Sequence, residues 1–433
     1  MLFGFFVPRF ILILGLSVLL SPLCPSQNVV KGVESVVEGR GFSVIWNMPT
    51  ARCQRRYGVS LPLRQYNIIH NSEQRFLGPN ISIFYQRRLG LYPYINRKGS
   101  KINGGLPQQG YLKSHLSLAE VQISDIFRGT FCGLAVLDWE AWQPVWIWNF
   151  GSRMIYRRLS KELVRWKHPE LLEEEVMSEA KAEFELAATT FMSKTLRLGV
   201  HLCPKGLWGF YGFPTCYNNH AQGESGYTGQ CHNGTEKLND RLALLWQQST
   251  ALYPSIYLWH KLAGHKHAQL MVRHRVLEAL RVASHHSPGS KAPPVFPYAR
   301  VAFTHTLTFL NQMDLEHTLG ESAALGAAGV VLWGELSFAK SKWQCTLLQE
   351  YLHSVLGEYV AALQAGVMNC NKRLCNGQGR CARKDAHSGY MIPLHDNYKA
   401  DALSDMRTKF KCVCYEGWSG QQCEKQEWAN ESV

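Results

Sequence analysis

A chain of 433 residues is too long for one small module and long enough for a barrel-sized domain with a minor companion. With 46% hydrophobic residues, 18% charged residues and 13 Trp, it has the make-up of a packed globular protein, which excludes a disordered, collagenous or polytopic membrane chain. The formal net charge of +13, which protonation of the 17 His would raise, suits a polyanionic partner; charge alone does not choose among nucleic acid, acidic glycan and anionic lipid.

In chain order, residues 1–26 combine Arg9, an apolar run from Phe10 to Leu20 and small or turn residues up to Ser26. This pattern predicts a secretory signal peptide, because the apolar run falls short of the roughly 20 residues a retained anchor needs. Short apolar runs then alternate with helical patterns over residues 27–366. Strands are predicted at 42–46, 81–85, 133–138, 207–211, 255–258, 295–303 and 329–333. Helices are predicted at 111–126, 153–167, 171–202, 237–249, 267–282 and 313–325, with Val176, Ala180, Phe184, Ala187 and Phe191 forming one apolar stripe. Strict strand-then-helix order argues for an α/β fold with a parallel sheet, and its length favours a closed β/α barrel over an open sheet.

Of the 13 Cys, Cys24 leaves with the signal peptide; the even number that remains suits an oxidising compartment. Six of them crowd residues 367–426, a segment too small for its own core, with the stretch 366–369 as a hinge before it and a polar tail at 427–433. Sequons at Asn80, Asn233 and Asn430 agree with secretion, and Asn80 and Asn233 are the expected glycosylation sites. No second membrane-length span follows, and the polar C-terminus lacks the apolar tail of a glycolipid anchor.

In a barrel, reactive groups sit at the C-terminal ends of strands. One such end, Leu137-Asp-Trp-Glu140, carries two carboxylates at i and i+2, which strand alternation puts on one face with Cα atoms about 6.6 Å apart. Apolar, Trp-rich surroundings and mutual repulsion raise the pKa of at least one, and a carboxyl still protonated near neutrality can act as general acid on a glycosidic oxygen. The plainer alternative is an acid pair that caps the next helix or pairs with Arg. Tyr85, Tyr211, Tyr257 and Trp333 stand at other strand ends, where aromatic faces can stack on sugar rings. His260, His265, His267 and His274 lack metal-ligand spacing and fit a solvated basic helix face. No serine-hydrolase elbow, dinucleotide fingerprint or nucleic-acid-binding motif occurs, so neither metal, cofactor nor nucleic acid is expected.

Trp46-Asn47, Ile83-Phe-Tyr85, Leu91-Tyr-Pro-Tyr94, Gly104-Gly-Leu-Pro107, Leu137-Asp-Trp-Glu140, Leu207-Trp-Gly-Phe-Tyr211, Ala251-Leu-Tyr-Pro-Ser-Ile-Tyr257 and Gly326-Ala-Ala-Gly-Val-Val-Leu-Trp-Gly334 together resemble, in order, the animal hyaluronidases, glycoside hydrolase family 56. The resemblance implies a distorted β/α barrel of seven or eight strands followed by a disulfide-rich EGF-like domain. It implies hydrolysis of β-1,4 bonds after N-acetylglucosamine in hyaluronan, with chondroitin as a second substrate. In that family the substrate's own N-acetyl oxygen attacks the anomeric carbon. Glu140 would then be acid and base, Asp138 would orient the N-acetyl group with help from Tyr211, Tyr257 and Trp333 would shape the subsite, and Tyr85 would line the cleft. The implied disulfides are Cys53–Cys345, Cys216–Cys231, Cys370–Cys381, Cys375–Cys412 and Cys414–Cys423. Cys132 and Cys203 have no place in that scheme, and a sixth disulfide between them is the expectation if their strands are neighbours.

One departure stands out, since Gln143 occupies a position where many relatives carry Arg. Loss of that charge lets nearby carboxylates rise in pKa and removes a contact to an acidic sugar. These readings describe a monomeric hydrolase, secreted or lysosomal, whose competitor is a catalytically weak hyaluronan-binding or EGF-mediated interaction protein.

Overall fold

A computed structural model describes residues 39–127, 131–219, 225–286, 292–394 and 400–427; the expected signal peptide and the Asn430 sequon lie outside them. The strand Ser43–Asn47 pairs in parallel with Ile69–His70 on one side and with Gly329–Trp333 on the other, and Tyr298–Ala299 pairs with Gly329–Trp333. A second parallel sheet places Leu134–Asp138 between Ile81–Tyr85 and Leu207–Phe210. Single bridges, Tyr211 to Tyr253, Leu252 to Val295 and Ser255 to Tyr298, join the two sheets. At their other margin, side chains replace the ladder: Asn80 Nδ2 donates to the His70 carbonyl at 2.7 Å and Asn71 Nδ2 to the Ile81 carbonyl at 2.6 Å. Each strand therefore neighbours the next one in the chain, and the last returns to the first.

The runs at 81–85 and 329–333 form strands of the expected extent, because both faces of a parallel strand are buried and these runs are apolar but for Ser82, whose hydroxyl is satisfied by the Gly78 backbone. Two others fall short. The expected strand at 255–258 is reduced to isolated bridges, and that at 295–303 to Tyr298–Ala299. Pro254, Pro294 and Pro297 lie in or beside these runs and have no N–H to donate, so a continuous ladder cannot form. At Gly209 a Cβ would lie 2.2 Å from the Ala251 carbonyl oxygen, so glycine there lets the two segments meet.

Alternation sorts the strand residues. Ile45, Ile81, Ile83, Leu134, Val136, Tyr253, Phe296, Tyr298 and Val331 form one fully buried cluster inside the ring of strands. Trp46, Phe84, Leu137 and Leu332 face outward onto helices.

Outside the ring, the helix Glu173–Leu202 begins with Glu173, Glu174 and Glu175, and the Glu175 carboxylate accepts the Leu172 N–H at 2.8 Å, which suits the positive end of a helix. Val176, Ala180, Phe184, Ala188 and Phe191 bury along it at four- and three-residue steps; Ala188 takes the fully buried place assigned to Ala187. The expected helix at 237–249 is broken into Thr235–Asp240 and Ala243–Trp246, and that at 313–325 contains a π-helical turn over Glu316–Gly320. Helix Gly357–Leu374 runs straight through 366–369, so the expected hinge is the middle of a helix, packed at Gly366 against Pro393.

In the cysteine-rich segment Gly379–Arg383 pairs antiparallel with Phe410–Cys414. Disulfides join Cys370 to Cys381, Cys375 to Cys412 and Cys414 to Cys423, while Cys53–Cys345 and Cys216–Cys231 fasten the larger part. The segment shares its core with the rest: Cys370, Cys375, Cys381 and Phe410 belong to the same apolar cluster as Val44 and Leu332. It is also bound by charge, because the fully buried Glu321 accepts from Arg273 Nε at 2.7 Å, from Gln269 Nε2 at 2.9 Å and from Arg383 of the strand Gly379–Arg383.

Candidate active site

Continuing the inward-facing rows by one more step past the apolar plug gives Asn47, Tyr85, Asp138, Tyr211, Ser255 and Trp333, each at the C-terminal end of its strand or bridge. Polar and aromatic groups there face a cleft of about 1030 Å³ lined by Tyr85, Tyr94, Asp138, Glu140, Ala141 and Trp333, together with Arg87, Arg88, Arg97 and Lys98.

The strand Leu134–Asp138 ends at Asp138, in register with Tyr85, and Glu140 stands two residues beyond it. Between them Trp139 points the other way, buried 4.7 Å from the Tyr92 ring and 5.2 Å from the Phe210 ring. Burial of that indole holds the turn and aims both carboxylates at the cleft. Asp138 has its pKa raised well above the usual carboxylate value by burial and then by the Glu140 charge. Burial also raises Glu140, while Arg153 draws it back. The side chain of Glu140 is open to the cleft but is ringed by protein on its other sides. Two carboxyls crowded together and both raised above their usual range favour one shared proton at the strand end, which is what general-acid chemistry requires.

Trp333 donates its indole N–H to the Tyr85 hydroxyl at 3.0 Å and stacks on Tyr257 at 6.0 Å between ring centres. Tyr257 in turn lies 5.9 Å from the Tyr211 ring, and the Tyr211 hydroxyl donates to Ser255 Oγ at 3.3 Å. Burial, foremost, raises the pKa of the Tyr85, Tyr211 and Tyr257 hydroxyls, which remain neutral hydrogen-bond donors. The sequence-predicted carboxylates and aromatics are thus gathered in one place.

Three further groups belong to this neighbourhood and were not anticipated. Arg300 is buried with its guanidinium carbon 5.2 Å from the centre of the Trp333 ring and 5.7 Å from that of Tyr257, paired with Glu335 at 2.8 Å. Arg153 donates from Nε to the Glu140 carbonyl at 3.0 Å. The four cations of the cleft come from the segment after Ile81–Tyr85 and from the hairpin that pairs Tyr94–Ile95 with Lys101–Ile102. Only the last had a legible signal, a crowding of Arg and Lys directly after a strand end.

Gln143 is buried, held through its backbone N–H by Asn149 Oδ1 at 2.8 Å and through its carbonyl by Asn149 Nδ2 at 2.9 Å. The positive charge that position 143 lacks therefore reaches Glu140 from Arg153. Cys132 and Cys203 are not joined by a disulfide; Cys203 is buried at the end of the helix Glu173–Leu202, where burial pushes its thiol up to about 11. Of the two described sequons, Asn233 is exposed, whereas Asn80 is half-buried with its amide nitrogen engaged at His70. His260 and His265 are exposed and His274 is half-buried beside His387. Among the described residues Asp240, His285 and His286 bring ligand atoms within 4.8 Å of one another, but Arg281 already pairs with Asp240 at 2.9 Å. No helix among the described residues is long and apolar enough to cross a membrane.

A family model described as Hyaluronidase matches residues 31–427. Hyaluronidase-1 of Sus scrofa is 42% identical over 412 residues, covering 91% of this chain and 94% of its own length. Hyaluronidase-3 of Homo sapiens is 45% identical over 390 residues, covering 90% and 92%. The crystal structure of bee venom hyaluronidase in complex with a hyaluronic acid tetramer matches with a TM-score of 0.68 and 33% identity over 74% of this chain and 98% of that one. With its catalytic-type carboxylates at a strand end and this likeness along nearly its whole length, the chain belongs to the hyaluronidase family.

Proposed function

We propose that the protein is an endo-β-N-acetylhexosaminidase that hydrolyses the β-1,4 bonds after N-acetylglucosamine in hyaluronan, and chondroitin as a second substrate. The observation that carries this reading is the pair Asp138 and Glu140, raised in pKa, at the foot of a cleft walled by aromatics and cations. Glu140 gives its proton to the leaving glycosidic oxygen as the substrate's N-acetyl oxygen closes on the anomeric carbon. It then takes a proton from the water that opens the cyclic intermediate, so the configuration is retained. Asp138 orients the N-acetyl group and stabilises its developing positive charge, with the neutral Tyr211 hydroxyl beside it. Tyr257 and Trp333 form the sugar platform and Tyr85 lines the cleft. No cofactor enters this scheme.

The ring of parallel pairings fits a distorted β/α barrel over residues 27–366, followed by an EGF-like module over 367–426. Residues 1–26 direct the chain into the secretory pathway, for work outside the cell or in the lysosome, as a monomer. Hyaluronan chain length followed over time from acid to neutral pH, for wild type and Glu140→Gln, tests the enzyme reading. Wild type should generate even-numbered oligosaccharides, and the variant should be slower by about 10²–10⁴-fold. A folded wild type that binds the polymer and never shortens it would make this a binding protein.

A further inference from the structure

Away from the cleft, among the described residues, the trio Asp240, His285 and His286 aims three ligand atoms at one point. Asp240 ends the helix Thr235–Asp240, and His285 and His286 close the helix Lys266–His285, so the trio stands at the negative, carbonyl end of that longer helix. No spacing along the chain signals it, because Asp240 and His286 are 46 residues apart and meet only through folding. His286 Nε2 lies 3.2 Å from Asp240 Oδ1, His285 Nδ1 lies 3.4 Å from His286 Nε2, and His285 Nδ1 lies 4.0 Å from Asp240 Oδ1. The point equidistant from these three atoms is about 2.1 Å from each, the length of a zinc–nitrogen or zinc–carboxylate bond. Two of the spacings are close to those of a tetrahedral zinc shell, about 3.3–3.4 Å. The third closes by a small turn of His285, whose side chain is 61% exposed.

The other two ligands are held in place. The His286 backbone N–H donates to the Val282 carbonyl at 3.1 Å, and beside Asp240 the buried Asn239 donates through Nδ2 to Glu278 Oε1 at 2.6 Å and to the Thr215 carbonyl at 3.0 Å. Arg281, which pairs with Asp240 at 2.9 Å, does not fill the site. Its guanidinium is also held by Glu278 at 2.8 Å, so two carboxylates share one positive charge and a negative charge is left to meet a cation. A carboxylate oxygen accepts a guanidinium and a metal together, and Arg281 then acts as the outer hydrogen bond that orients a ligand. Two imidazoles and one carboxylate suit zinc, whereas magnesium and calcium require oxygen ligands. We propose that Asp240, His285 and His286 form a zinc site, with water in the fourth position, that clips the helix Thr235–Asp240 to the end of Lys266–His285. None of the three lines the cleft, so the bound ion acts on stability and takes no part in hydrolysis.

The test is calorimetric titration of ZnCl2 into the chelator-stripped full chain, beside CaCl2 and MgCl2, with the melting temperature measured in parallel. Wild type should bind one zinc ion with a Kd in the micromolar range, melt higher with zinc than without, and take up neither calcium nor magnesium. Asp240→Asn, His285→Gln and His286→Gln should each weaken zinc binding roughly tenfold or more and lose the zinc-dependent rise in Tm. His285 is exposed at a helix end, so its variant keeps the test decisive should the Asp240 variant not fold. A control, His168→Gln combined with His201→Gln, removes two exposed imidazoles elsewhere and should bind zinc as wild type does. Cobalt(II) in place of zinc should give wild type the strong visible absorption of a tetrahedral centre, lost in His286→Gln. Zinc held only in the millimolar range, binding undiminished in all three ligand variants, or binding lost equally in the control overturns the proposal.

Discussion

Trp333 and Tyr85 are joined by a 3.0 Å hydrogen bond across the mouth of the strand ring, although their strands, Gly329–Trp333 and Ile81–Tyr85, do not pair with one another. The bond fixes the edge of the indole while Tyr257 and Arg300 hold its face. Tyr85→Phe keeps the ring and removes the acceptor, so a half-buried N–H loses its partner at a cost of about 1 kcal/mol. The expected outcome is a slightly lower melting temperature and a KM for hyaluronan raised several-fold with kcat little changed. An unaltered KM in a folded Tyr85→Phe protein would show that the platform does not need this bond.

The carboxylate pair gives a signed pH dependence. Because burial and Glu140 raise Asp138 above its ordinary 3.8, the folded protein holds that proton over a pH range where the unfolded chain has released it, and stability falls as pH rises through that range. Asp138→Asn removes the effect. The variant should gain on wild type in denaturant melts above the ordinary carboxylate range, and the gain should vanish in stronger acid. A gain independent of pH would mean that the titration of Asp138 is not its source.

Arg153 draws down the pKa of Glu140, the group read here as the proton donor. In Arg153→Gln the donor keeps its proton to higher pH, so the alkaline limb of the kcat/KM profile should move up, and Arg153→Lys should restore most of its position. A limb that stays in place, or moves toward acid, contradicts this role.

Glu321 is fully buried between Arg273 and Arg383. Removing the shared carboxylate leaves two buried cations uncompensated, which costs about 3–5 kcal/mol. Glu321→Ala should therefore lower the denaturation midpoint strongly and, because Arg383 belongs to the cysteine-rich segment, should raise protease susceptibility within 367–426. Cleavage unchanged there, with stability within about 1 kcal/mol of wild type, would show that the shared apolar core alone joins the parts.

Much of this arrangement was legible in the sequence for one reason: alternation along a strand is strict. Asp138, Tyr85 and Trp333 end runs whose other residues are apolar except Ser82, so their place above the plug follows from counting by twos. Tyr257 needed more, because Pro254 and Pro297 interrupt the ladders and the expected strands at 255–258 and 295–303 shrink to bridges. Arg300 continues the inward row of Phe296 and Tyr298, a pattern hidden by those same prolines. Arg153 was out of reach. It arrives from the start of the helix Met154–Lys167, and nothing in its local pattern signals the approach to Glu140.

The return of the last strand to the first sets an order of assembly. Ser43–Asn47 takes Gly329–Trp333 as a neighbour, and Cys53 is bonded to Cys345, a sequence separation of 292. During synthesis that early strand keeps an open edge and that early cysteine stays unmatched until most of the chain has been made, while Cys216 and Cys231 appear in between as available wrong partners. A shortened product ending before residue 329 would carry Asp138 and Glu140 intact and still be inert, an open sheet with a loose thiol.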